Sequence, residues 1–294
     1  MSKAPLITYH PVSSVDAEAI FSIIIPSWNN LELLKICIQS IQKNSSFRHQ
    51  LIVHVNEGTD GTLEWIRQQS VSYTFSKENA GVCFALNAAA SLAVTDYILY
   101  MNDDMYVCPG WDQALWKEIE HIGHEYFFLS GTMIEPAGNN PASILPHDFG
   151  KTAETFRESE LLKQYKAFQK TDWSGAGWPP NIVHRKLWKL AGGYSVEFSP
   201  GFYSDPDFCM KLWQCGVRIF KGVSASRVYH FQSKSTARVK GNNGRQVFAA
   251  KWGFPSSYLY KEILKMGQPY TGPLPEFTVS SKARLKAFWQ RIKP

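Results

Sequence analysis

Apolar residues along the first hundred positions switch between two periods. Residues 21–25 (Phe-Ser-Ile-Ile-Ile) form a continuous β-branched run ending at Pro26, which predicts a strand buried on both faces. Leu31, Leu34, Ile38 and Ile41 then recur at helical spacing, with Asn29 or Asn30 available as N-cap. The alternation repeats with a strand over 51–55, a short helix from Leu63 and a strand over 71–75. Val82, Ala85, Leu86, Ala89 and Leu92 supply the next helical face, and 97–101 a fourth strand. Apolar strands alternating with amphipathic helices predict an α/β fold whose mainly parallel sheet is covered on both faces.

Beyond residue 105 the rhythm becomes irregular. Trp111, Leu115, Ile119 and Ile122 mark a helix, 126–129 a strand, and 135–150 a loop rich in Pro, Gly and Asn. A polar helix is expected near 154–169, followed by the small-and-aromatic stretch 173–178, whose Gly-rich, Pro-flanked setting suits a surface loop. A helix should begin at Asp205-Pro206, with Asp as the cap and Pro in the first turn. Helical patches near 243–251 and 256–265 lead through Pro269, Pro273 and Pro275 to a basic tail.

Composition narrows the class. With 44% hydrophobic and 19% charged residues, the 294-residue chain can bury a large core. Lys and Arg number 31 against 25 Asp and Glu, and the acid-free stretch 277–294 holds Lys282, Arg284, Lys286, Arg291 and Lys293. The rest is close to neutral and offers no basic face, so nucleic acid is excluded as a partner. The five cysteines have no C-x-x-C pair and read as free thiols of a reducing compartment. The start of the chain lacks a signal-peptide core, and no apolar run approaches the roughly 18 residues of a membrane span. A cytoplasmic chain is the expectation.

Ligands of parallel sheets bind at the carboxyl ends of the strands. The first βα turn, Pro26-Ser27-Trp28-Asn29, contains no glycine, and there is no P-loop. Phosphates bound here would need side chains and a metal. Asn102-Asp103-Asp104 supplies hard oxygen ligands suited to Mg²⁺ or Mn²⁺ on a diphosphate, and is equally good turn chemistry. Taken singly, Asp205 reads as a helix cap, His230 as structural, and Trp173 and Trp178 as core aromatics.

In their order, over about 21–236, these segments resemble the family-2 glycosyltransferases of GT-A fold. Phe-Ser-Ile-Ile-Ile-Pro-Ser-Trp-Asn looks like the family's opening strand, and the segment from Asn56-Glu57 to Gly61-Thr62 like its acidic nucleotide motif. Asn79-x-Gly81 with Asn87 looks like the next helix start, and Asn102-Asp103-Asp104 occupies the place of D-x-D. Gly192-Gly193-Tyr194 and Ser204-Asp205 stand where the family has G-G-[FY] and its E-D base motif. Tyr229-His230 with Ser235-Thr236 resembles its late histidine segment.

The resemblance implies metal-dependent, inverting transfer from a nucleotide-diphosphate sugar, UDP-linked by default, to a saccharide or lipid-linked acceptor, with Asp205 as general base. It implies a donor site of Pro26, Ser27, Trp28, Asn29, Glu57, Asn79, Gly81, Asn87 and Asp103, with Glu57 on the nucleobase. Asp104, Asn102 and His230 would hold Mn²⁺ or Mg²⁺. Trp173, Trp178 and Tyr203 would face the acceptor. The chain departs from the pattern at Asn56, Leu86, Asn102 and Ser204. The alternative is a nucleotide-sugar-binding protein without catalysis; a glycoside hydrolase would also use paired carboxylates but would not need the nucleotide end.

The expected organisation is a GT-A domain over 1–236, with a nucleotide half (about 20–104) and an acceptor half (about 105–236), then a helical extension over 237–294. In the tail, Leu285, Phe288, Trp289 and Ile292 recur near helical spacing among basic residues. Such a helix either docks on the protein's own body or lies on the inner face of an anionic membrane.

Overall fold

The apolar runs become the centre of one sheet in a computed structural model, which describes residues 7–138, 144–232 and 241–292. Its strands are β1 (Ile7–His10), β2 (Phe21–Trp28), β3 (His49–Asn56), β4 (Ser72–Ser76), β5 (Tyr97–Tyr100), β6 (Met105–Val107), β7 (Phe127–Glu135), β8 (Ile144–Pro146), β9 (Trp173–Ser174), β10 (Asn181–His184) and β11 (Ile219–His230). The helices are α1 (Leu31–Asn44), α2 (Thr62–Ile66), α3 (Val82–Ala90), α4 (Trp111–Ile122), α5 (Glu158–Gln164), α6 (Arg185–Ala191), α7 (Ser204–Gln214), α8 (Gly244–Trp252), α9 (Ser256–Tyr258) and α10 (Ser281–Ile292).

The sheet order is β1-β4-β3-β2-β5-β10-β7-β11-β6. The β4-β3-β2-β5 portion is parallel. Antiparallel β10 then joins β5 to β7, and β7 runs parallel to β11. This is the α/β architecture the periodicity predicts, and strands from both 20–104 and 105–236 lie in the one sheet. β2 continues through Pro26 to Trp28 because its pairing with β5 stops at Ile24↔Tyr100, so the missing N–H is not needed on that side.

Alternation along β2 splits the core. Ile24 packs with Leu86, Leu187, Phe208 and Leu212 on one face, while Ile23 and Ile25 pack with Leu34, Ile38, Trp111 and Leu115 on the other. Helices therefore cover both faces. Phe248, Phe254, Leu259, Ile263 and Leu274 join the first of these clusters, so the residues beyond 237 complete the main core.

Several local expectations change. The polar helix near 154–169 is shortened to α5, and the strand expected over 126–129 runs on to Glu135. The stretch 173–178 is not a surface loop: Trp173 is 2% exposed and lies on Gly222, where an added Cβ would sit 1.8 Å from the indole. The cap of α7 is Tyr203, in the left-handed region at φ 72°, which puts Asp205 inside the first turn rather than at the cap.

Candidate active site

The carboxyl ends of β2, β3 and β5 open onto a cavity of about 680 Å³. Pro26, Ser27, Trp28, Asn56, Asn79, Gly81, Asn102, Asp103 and Asp104 line one side. Glu135, Trp178, Tyr203, Ser204, Asp205, His230 and Gln232 line the other. The sides touch at Gly81, whose backbone has φ 80° and where a Cβ would lie 2.7 Å from Pro200 Cα. The Val82 N–H donates to the Pro200 carbonyl at 2.7 Å, fastening the 200–205 segment to the start of α3.

Strand register builds the charged corner. β6 follows β5 by only a few residues but pairs with β11, and this sets His230 opposite Met105, beside Asp104. Parallel β7 places Ile134 opposite Tyr229, which brings Glu135 to the same imidazole. His230 Nδ1 lies 2.6 Å from Glu135 Oε1, and Nε2 lies 3.3 Å from Asp104 Oδ1. Burial alone would lower the histidine, but the Asp104 and Glu135 carboxylates raise it to about 10. The Gln232 amide donates to the other Glu135 oxygen at 2.7 Å. Burial, with the Asp104 charge beside it, pushes Asp103 up to about 7 against the polar pull of Ser27, Asn30 and the Trp28 backbone.

The lining holds Asp103, Asp104, Glu135 and Asp205 and, among the described residues, neither Lys nor Arg. A diphosphate would meet net negative charge here, so it needs a counter-cation. Among the described residues, no three His, Cys, Asp or Glu side chains form a ready cage. Asp104 and His230 converge as a pair, with Asn102 beside them on the wall. Such a donor set fits a divalent cation that is completed by substrate phosphates.

Across the cavity, burial pushes Asp205 up to about 7, partly offset by the Tyr194 hydroxyl, which donates to its Oδ1 at 3.2 Å. Tyr194 is held in turn by Asn87, whose Oδ1 accepts from the Tyr194 N–H at 2.8 Å and whose Nδ2 donates to its carbonyl at 2.7 Å. Asn87 is therefore absent from the lining expected of a donor contact, because both ends of its amide are engaged with the 194 backbone. Tyr100 lies between the two sides and feels the charges of Asp205, Asp104 and Asp103.

The turns after β2 and β3 are tied to one another. Asn29 Nδ2 donates to Glu57 at 3.0 Å and Asn29 Oδ1 accepts from the Thr59 N–H, while Asp60 accepts from the Leu31 N–H and serves α1 as a cap from another loop. Asn29 and Glu57 are not themselves lining residues but adjoin Trp28 and Asn56, which are. Asn56 turns its oxygen inward to Ser76 Oγ and the Ala80 N–H. Asn79 accepts from the Gly81 N–H at 2.9 Å. Asn29, Glu57, Tyr203 and Gln232 all take left-handed backbone, a costly conformation that gathers around this cavity.

Trp178 and Tyr203 face the cavity; Trp173 does not, its indole donating to Thr132 Oγ1 at 3.0 Å within the sheet. Ser235 and Thr236 lie outside the described residues. Glu135 and Gln232 are missed by sequence reasoning, and Tyr194 is read there only as part of Gly192-Gly193-Tyr194, with no role at the site. Glu135 has no local signal at all, because only the β7–β11 register shows that it abuts His230.

A model described as Glycosyl transferase family 2 matches residues 22–185, from β2 to the start of α6, a span that includes Asp103 and Asp104 but stops before Asp205 and His230. Among curated proteins none matches. Solved structures do match. Staphylococcus aureus (S. aureus) TarS 1-349 superposes with a TM-score of 0.55 at 14% identity, over 79% of this chain and 65% of that one. The same TarS span in complex with UDP-GlcNAc gives 0.56 at 15% identity, over 79% and 66%. S. aureus TarS itself gives 0.53 at 13%, over 79% and 39%. The chain thus spans about two thirds of TarS 1-349 and well under half of the longer TarS chain, and at these identities the likeness is one of fold.

Proposed function

The chain belongs to glycosyl transferase family 2, and from that premise we propose that it transfers a sugar from a nucleotide-diphosphate donor to an acceptor hydroxyl with inversion, Asp205 acting as general base. One observation carries the reading: half-buried Asp205, which desolvation raises to about 7, faces across one cavity the Asp103–Asp104 carboxyl pair at the end of a parallel strand. A base works best when its pKa lies near the working pH.

Pro26, Ser27, Trp28 and Asn79 bind the nucleotide end. The Asn29–Glu57 and Asn56–Ala80 bonds hold those turns rigid. The acceptor enters past Trp178 and Tyr203, where an aromatic face suits a sugar ring. Its oxygen forms the new bond to the anomeric carbon as the bond to the diphosphate breaks, and its proton passes to Asp205. Tyr194, fixed by Asn87, keeps the Asp205 oxygen aimed. A divalent cation, Mn²⁺ or Mg²⁺, held by Asp104, Asn102 and His230 would neutralise the diphosphate charge. Glu135 keeps His230 turned toward Asp104.

Thermal stabilisation by a panel of nucleotide sugars, with and without Mn²⁺, tests the donor side. TarS, solved with UDP-GlcNAc, makes uridine donors the first choice. Stabilisation that needs the cation is expected; no response to any member would remove the donor assignment.

A further inference from the structure

The tail helix α10 presents opposite chemistry on its two faces. Ala283 and Ala287 are buried against α8, and Arg291 donates to the Ala249 carbonyl through Nε at 3.1 Å and Nη2 at 3.0 Å. The large apolar residues are elsewhere: Leu285, Phe288, Trp289 and Ile292 are 58, 52, 50 and 56% exposed. At about 100° per residue these four fall within about 100° of arc, centred opposite the alanines. Arg284 borders that stripe on one side and Lys282 and Lys286 on the other, with no acid anywhere in 277–294. A helix docked only to cover its own protein would turn the stripe inward. This one docks through its small residues and leaves the stripe free.

We propose that α10 is a membrane-surface anchor lying on an anionic lipid bilayer. Leu285, Phe288, Trp289 and Ile292 sit at the boundary of headgroups and acyl chains, and Lys282, Arg284 and Lys286 engage the headgroups. Basic residues on both rims favour this occupant over a second copy of the chain, since a two-fold pairing of the stripe would bring like charges together. No helix among the described residues is long and apolar enough to cross a membrane, so the contact is with the surface.

Co-sedimentation of the full chain with phosphatidylcholine vesicles, with and without phosphatidylglycerol, at low and high salt, provides the test. The chain should pellet with the anionic vesicles at low salt and be released by high salt. Lys282→Gln, Arg284→Gln and Lys286→Gln should each weaken binding about five-fold, the equivalent of about 1 kcal/mol. Phe288→Ser with Trp289→Ser should abolish it while leaving melting temperature and donor stabilisation unchanged, because these side chains are exposed. Binding to neither vesicle, equal binding to both, or full binding by the double variant would overturn the proposal. So would self-association lost in the double variant without vesicle binding. None of these outcomes depends on the transfer chemistry.

Discussion

The two sides of the cavity spend their polar groups differently. On the donor side Asn29, Asn56 and Asp60 are engaged with neighbouring turns, and Asn56 faces inward although its position invites a ligand contact. On the opposite side half-buried Asp205 and the His230–Glu135 pair line the open space; burial raises Asp205, and the Asp104 and Glu135 carboxylates raise His230 against its own burial. Rigid turns make a platform. Half-buried, titratable groups make a reacting centre. A cavity with both is suited to hold one substrate still while a proton leaves another.

The sharpest way to break this contrast is Asp205→Asn. Loss of a positioned base should reduce transfer by on the order of 10²–10⁴-fold with donor binding retained. Stability should move the other way. A carboxyl that desolvation raises to about 7 contributes stability that is present below about pH 4 and lost as pH rises through about 7. Asp205→Asn should therefore raise the melting temperature at pH 8 and change it little near pH 4. Near-normal turnover would return the residue to a structural role.

Glu135→Gln comes next. With Nδ1 no longer facing a carboxylate, Mn²⁺ affinity measured by calorimetry should fall about 10–100-fold, while the turns after β2 and β3 keep their bonds; the melting temperature should fall as well, because a buried partner of the imidazole is lost. Unchanged affinity would separate Glu135 from the cation site.

Tyr194→Phe should do least. Its hydroxyl lowers Asp205, so removing it should shift the acid limb of the pH–rate profile upward by about one unit. A large fall in rate at all pH values would instead mean that the ring itself positions the base.

The sheet is legible in the chain wherever an element is local. β2, β3 and α1 announce themselves because both of their faces are sorted by burial within a dozen residues. Asn102-Asp103-Asp104 is legible for the same reason, as a polar turn that closes an apolar strand. What depends on long-range register is not. Glu135 ends a strand that reads as far shorter, and it meets His230 only because β7 and β11 lie side by side. Asn87 looks like a ligand contact at a helix start, yet it bonds to the Tyr194 backbone across the fold. Trp173 reads in sequence both as a core aromatic and as part of a surface loop, and only the room that Gly222 leaves for its indole decides for the core. Tail amphipathicity is visible in sequence, but which face docks is decided by α8.

Acceptor-dependent release of nucleoside diphosphate by the wild-type chain, followed from pH 5 to 9 with Mn²⁺ and again with excess chelator, tests the central claim most directly. Release should require both acceptor and cation and rise through about pH 7 as Asp205 ionises. Tight donor binding without release at any pH would contradict it and identify a nucleotide-sugar-binding protein instead.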